Sequence, residues 1–106
     1  MSLRDAQQAV DRWIGEFEEG YFPPLANVAR LTEEVGELAR EINHRFGPKP
    51  KKPSEPDDSI AMELADILFV VICIANSQGL DLDDAFAEMM AKVTSRDAGR
   101  WTRKAR

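Results

Sequence analysis

The stretch MELADILFVVICIANSQG, residues 62–79, constrains the fold more than any other part of the chain. From Ile67 to Ala75 every residue is apolar. A helix that is apolar all round has to be covered all round. Yet its first turns carry Glu63 and Asp66, one turn apart and about 60° from each other on one face. Unpaired buried carboxylates are costly. The chain must therefore both surround this helix and supply counter-charge to its acidic end. The uninterrupted apolar run is too short for a bilayer, which needs about 20 residues.

The rest of the chain reads as helix. Leu3, Ala6, Val10, Trp13, Ile14 and Phe17 recur at helical spacing over about residues 2–19, before Gly20 and Tyr21-Phe22-Pro23-Pro24. A second helix opens near Pro24, a favourable first-turn residue. Leu25, Val28, Leu31, Val35, Leu38, Ile42 and Phe46 then form a stripe of nearly heptad period, closed by Gly47-Pro48. The segment GPKPKKPSEPDD, residues 47–58, has four prolines and three lysines and reads as a solvated loop. The third helix starts at a cap on Asp58 or Ser59 and stops near Gly79. The fourth opens at Asp81, with Asp83 and Asp84 suiting its N-terminal dipole, and runs toward Asp97. No segment has a strand pattern. These features predict an all-α, four-helix bundle in a single domain, residues 1–106. One chain has trouble burying both the second helix's stripe and an apolar third helix. A homo-oligomer is the expected remedy.

Charge and cysteine content narrow the function. The net charge is −5. Residues 92–106 hold Lys92, Arg96, Arg100, Arg103, Lys104 and Arg106 against Asp97 alone, a local +5 that leaves the remainder at −10. An acidic body argues against nucleic-acid polymers as partners. This basic C-terminal segment, residues 92–106, could neutralise a phosphate-rich ligand or be a solvated helix end with a frayed tail, the tail being about residues 98–106. The single cysteine, Cys73, reads as a small buried hydrophobe. With no signal-peptide pattern at the start and no membrane expected, a cytoplasmic location is expected.

On the second helix, Glu34, Glu37 and Glu41 fall within about 60° of one another, with Glu34 at the edge of the apolar stripe, Glu37 further out, and Glu33 about opposite the stripe. Two pairs of one spacing, Glu34-x-x-Glu37 and Glu63-x-x-Asp66, thus sit on consecutive helices. Packed face to face, they would gather four carboxylates. Hard divalent cations, Mg²⁺ or Mn²⁺, resolve such repulsion through oxygen ligands. Solvated glutamates, or ion pairs to Arg30, Arg40 or Arg96, are the bland alternative.

Glu33-Glu34-Val35-Gly36-Glu37 followed by Glu63-Leu64-Ala65-Asp66 resembles the EExxE…ExxD signature of MazG-like nucleoside triphosphate pyrophosphohydrolases. The resemblance extends over about residues 5–101. It implies a dimeric or tetrameric helical bundle that binds Mg²⁺ and cleaves nucleoside triphosphates to monophosphate and pyrophosphate. It also implies that Glu34, Glu37, Glu63 and Asp66 ligate metal and that Glu33 acts as general base. Lysine or arginine can stabilise phosphate charge, and Lys92, Arg96 and the weaker candidate Arg100 are placed for this. KVTSRDAGRW also resembles family segments that approach the nucleotide. Asn76 could contact sugar or phosphate, or cap its helix. Tyr21 and Phe22, ahead of Trp13, are candidates to stack on the base.

Two rival readings remain at this level. One is a di-iron carboxylate bundle built on Glu41-x-x-His44. The other is a non-enzymatic helical dimerisation or adaptor module whose carboxylates serve only in salt bridges.

Overall fold

In the computed structural model the described residues are 1–49, 51–53 and 59–105. They contain four helices and no strand: α1 (Leu3–Ile14), α2 (Pro24–Phe46), α3 (Ile60–Ser77) and α4 (Leu82–Arg96). The expected cap on Asp58 lies outside the described residues, whereas Ser59 accepts the Met62 N–H at 3.0 Å. Pro24 occupies the first turn of α2 as expected. α3 ends two residues before Gly79, whose φ of +67° suits a residue without Cβ. There Leu80 N–H reaches the Ala75 carbonyl and Gly79 N–H the Asn76 carbonyl, a Schellman closure of the last turn.

α1 is shorter than expected. It stops at Ile14, and Glu16 and Phe17 continue only as tight turns onto the Trp13 and Ile14 carbonyls. Glu16, Glu18 and Glu19 lie just past this end, where the negative pole of a longer helix would oppose them.

α3 is the spine. It packs along α2 on one side and α1 on the other, while α4 rests against α1. Among the described residues the buried apolar core comes from α3: Val70, Ile72, Cys73 and Ala75. Taken whole, α3 has the length and mean hydropathy, 18 residues and 2.0, at which a membrane span would be considered. That count includes the flanking turns beyond the uninterrupted apolar run. It packs against α1 and α2, 28% of its 18 residues are buried, and two carboxylates stand in its first turns.

The α1–α4 junction is polar and reciprocal. Asp83 of α4 accepts the free N–H groups of Leu3 and Arg4 at the start of α1 (both 3.2 Å). Asp81 caps α4 through the Asp84 N–H and meets the Arg4 guanidinium at 2.7 Å. That hydrogen bond holds the Asp81 carboxyl below its usual range. Buried Gln7 completes the joint, accepting the Leu82 N–H and donating to the Leu80 carbonyl and Asn76 Oδ1.

Candidate active site

Glu34 stands half-buried on α2, at the margin of the apolar stripe. Glu63 and Asp66 enter the same seam from the first turns of α3, Glu63 only 5% exposed. One carboxylate oxygen from each of the three lies within 4.8 Å of the others. Glu34 thus meets Glu63 and Asp66, while Asn27 and Arg30 share a cleft with Phe69 and Cys73, so α2 and α3 run antiparallel.

Glu37, expected as a fourth member, is exposed and outside this group. It lies one turn beyond Glu34 and further round from the stripe, so within one chain it points away from the seam. Glu33 is also exposed. Glu41 sits further along and pairs with Lys51 at 3.1 Å. Neither Glu41 nor His44 belongs to the metal-capable group among the described residues, so the di-iron pattern is not assembled in this chain.

One turn along α2 and α3 from the carboxylates begins a largely apolar cleft of about 370 Å³, lined by Arg30 and Phe69 but by none of the three acids, within the usual size of small-molecule sites, about 300–1,000 Å³. Trp13, Tyr21 and Phe22, the three base-stacking candidates, all line it. Trp13 and Phe17 fit a core stripe in the sequence, but both are about half exposed, at 53% and 50%. Trp13 meets Phe17 and Phe69 edge-on, with centroids 5.2 and 6.2 Å apart. The Tyr21 hydroxyl donates to Asp11 at 2.6 Å and accepts from Asn76 at 2.9 Å. Asn76 also donates to the Gln7 carbonyl and accepts from the Gln7 side chain. The carboxamide expected to touch sugar or phosphate is therefore engaged in bracing Tyr21 and α1.

Asn27 and Arg30 of α2 and Phe69 and Cys73 of α3 are among the cleft residues that the sequence does not single out as site candidates. Helical spacing carries a signal for two of them, since Arg30 is one turn before Glu34 and Phe69 one turn after Asp66. Burial pushes the Cys73 thiol up, partly opposed by the nearby Arg30 charge. By contrast, Lys92, Arg96 and Arg100 are exposed and line no part of this cleft. Arg96 pairs with Asp97 at 3.2 Å, and Arg100 lies over Trp101.

A buried seam that collects carboxylates next to an aromatic cleft suits a metal-dependent enzyme acting on an anionic, aromatic substrate. Residues 22–101 match the MazG nucleotide pyrophosphohydrolase domain. The chain is 56% identical to YpjD of Bacillus subtilis (strain 168), over 97% of this chain and 93% of that one. It is 31% identical to YvdC of the same organism, over 91% and 96% of the two chains. The crystal structure of YpjD superposes with a TM-score of 0.78 at 55% identity, covering 87% of this chain and 94% of that one. That of the Bacillus-conserved MazG protein, a nucleotide pyrophosphohydrolase, gives 0.76 at 51% identity, covering 87% and 88%. The chain belongs to the MazG nucleotide pyrophosphohydrolase family.

Proposed function

We propose that the protein hydrolyses ribo- or deoxyribonucleoside triphosphates to monophosphate and pyrophosphate in a Mg²⁺-dependent reaction, clearing unwanted nucleotides in the cytoplasm. The carrying observation is the meeting of Glu34, Glu63 and Asp66 within 4.8 Å beside the aromatic cleft. Three convergent carboxylates, one of them buried, fit a hard divalent cation, with Mn²⁺ a workable substitute for Mg²⁺. When bound, that cation supplies charge neutralisation at the phosphate oxygens.

The chain's own residues do the rest. Trp13, Tyr21 and Phe22 hold the base by stacking, and the Asp11–Tyr21–Asn76 hydrogen bonds keep one wall of the cleft in place. Glu33, adjacent in sequence to Glu34 but about opposite the stripe, would accept a proton from water attacking at a neighbouring protomer's site, as the water oxygen bonds to phosphorus and the α–β bridge breaks. The bridging oxygen keeps the electron pair of the bond that breaks, giving monophosphate and pyrophosphate.

The reading includes a homodimer or homotetramer. A compact protein of 11.9 kDa exposes about 5,900 Å², whereas this chain exposes 8454 Å². A second copy is the occupant that suits the exposed α2 stripe. Assembly is also the route by which Glu37, Lys92, Arg96 and Arg100 could reach a site, that of a neighbouring protomer.

The test is product analysis with a panel of nucleotides, with Mg²⁺ or EDTA, on the wild type and on Asp66→Asn and Glu33→Gln. Monophosphate plus pyrophosphate, lost with EDTA and in Asp66→Asn and strongly reduced in Glu33→Gln, is the expected result. Diphosphate plus orthophosphate would refute α–β cleavage.

A further inference from the structure

Arg30 stands between the two halves of the site. It is one turn before Glu34 on α2 and lines the aromatic cleft. Its guanidinium carbon lies 5.3 Å from the centroid of the Phe22 ring. The side chain is half-buried and, among the described residues, meets no carboxylate at ion-pair distance. A cation held off bulk water without an anionic partner is poised to receive one from a ligand, and local charge interactions there are screened less than at the surface. Guanidinium offers only donors, in a planar fork that matches two phosphate oxygens.

Position selects which phosphate. Along α2, Arg30 lies one turn from Glu34 toward the cleft, with the Phe22 ring against it; on α3, Phe69 takes the corresponding place one turn after Asp66. Along a nucleotide the order is terminal phosphates, sugar-bearing phosphate, sugar, base. Superposing the two, with the base in the cleft, puts the sugar-bearing phosphate at Arg30. We propose that Arg30 is the anchor for that phosphate, which makes it the residue that retains the monophosphate product and sets product inhibition. The register of the nucleotide rests on the pyrophosphohydrolase reading above. The competing role for Arg30 is structural: it stays stacked on Phe22 as part of the cleft wall.

Calorimetric titration separates these roles without needing turnover. AMP, GMP, CMP and UMP, their four nucleosides and inorganic pyrophosphate are titrated with Mg²⁺ into wild type, Arg30→Gln and Arg30→Lys, with thermal melting as the folding control. Expected in Arg30→Gln is about tenfold or greater weakening for the tightest-binding monophosphate. Its nucleoside and pyrophosphate should be unchanged, and Arg30→Lys should recover part of the loss. Equal weakening of nucleoside and monophosphate would overturn the anchor in favour of the wall, and so would unchanged monophosphate binding. If Arg30→Gln does not fold, Arg30→Lys carries the comparison, and unchanged monophosphate affinity there overturns the planar-fork argument. Triphosphate hydrolysis is scored separately. An inactive wild type that still binds monophosphate through Arg30 refutes the reaction and keeps the anchor. An active enzyme whose monophosphate binding ignores Arg30 keeps the reaction and refutes the anchor.

Discussion

Tyr21 is the only tyrosine in the chain, so its phenolate absorbance reports on one residue. Burial, and then its hydrogen bond to the Asp11 carboxylate, push the phenol up to about 12, with the donation from Asn76 opposing. The folded state thus holds this proton more tightly than the unfolded chain, where tyrosine titrates near 10. Its contribution to stability is complete below pH about 10 and is lost as pH rises toward about 12. Spectrophotometric titration should give a midpoint well above that of the denatured chain, and the melting temperature of Tyr21→Phe should fall less steeply over this window. A titration midpoint equal to that of the denatured chain would show that the Asp11 and Asn76 contacts do not form. At the same scale, Asp66→Asn removes one of three neighbouring like charges. It should raise the melting temperature in EDTA and abolish the further rise that Mg²⁺ gives the wild type. A Mg²⁺-dependent shift that survives the substitution would remove Asp66 from the metal site.

Helix starts and stops follow from local chemistry, which is why Pro24, Ser59, Gly79 and Asp81 could be placed from the sequence. So could the half-buried edge position of Glu34 and the outward one of Glu37, since both are set by rotation about one helix. The meeting of α2 and α3 is legible through their two carboxylate pairs, but what α1 and the 15–22 segment stand beside is not. Asn76 meets Gln7 across 69 residues of chain, and only the α1–α3 packing brings them together. The same holds for the cleft, whose wall needs α1, the 15–22 segment, α2 and α3 at once. Gln7 shows how much one element depends on such contacts. Truncation to alanine strands the Leu82 N–H, the Leu80 carbonyl and Asn76 Oδ1 in a partly buried site. Gln7→Ala should cost about 2 kcal/mol and loosen the start of α4, seen as faster amide exchange over 82–85 in the variant. Unchanged exchange there would mean that Asp81 and Asp83 hold α4 without Gln7.

At the scale of the whole molecule the chain is too open for its size. Its radius of gyration is 17.8 Å, against about 13 Å for a compact chain of this length. The surplus surface over a compact monomer is roughly 2,500 Å², more than the roughly 800 Å² per partner of a standard interface. Much of the exposed apolar surface is patterned. Leu25, Val28, Val35, Ile42 and Phe46 all lie on the α2 stripe, and Leu25 is 84% exposed. Phe86, Met89 and Met90 add a second apolar patch on α4. Single chains seldom present such contiguous surface to water. Ile42→Glu and Leu25→Glu place a charge toward opposite ends of the stripe, each about two turns along α2 from Glu34. Sedimentation should give at least a dimer for the wild type and a monomer, or a much weaker dimer, for each variant. Because association stabilises the folded state by mass action, the wild-type melting temperature should rise with protein concentration. That dependence should flatten in both variants. A wild type that sediments as a monomer with a concentration-independent melting temperature would overturn the assembly. Glu37 and the α4 cations would then have to act within one chain, where the present geometry keeps them away from the cleft.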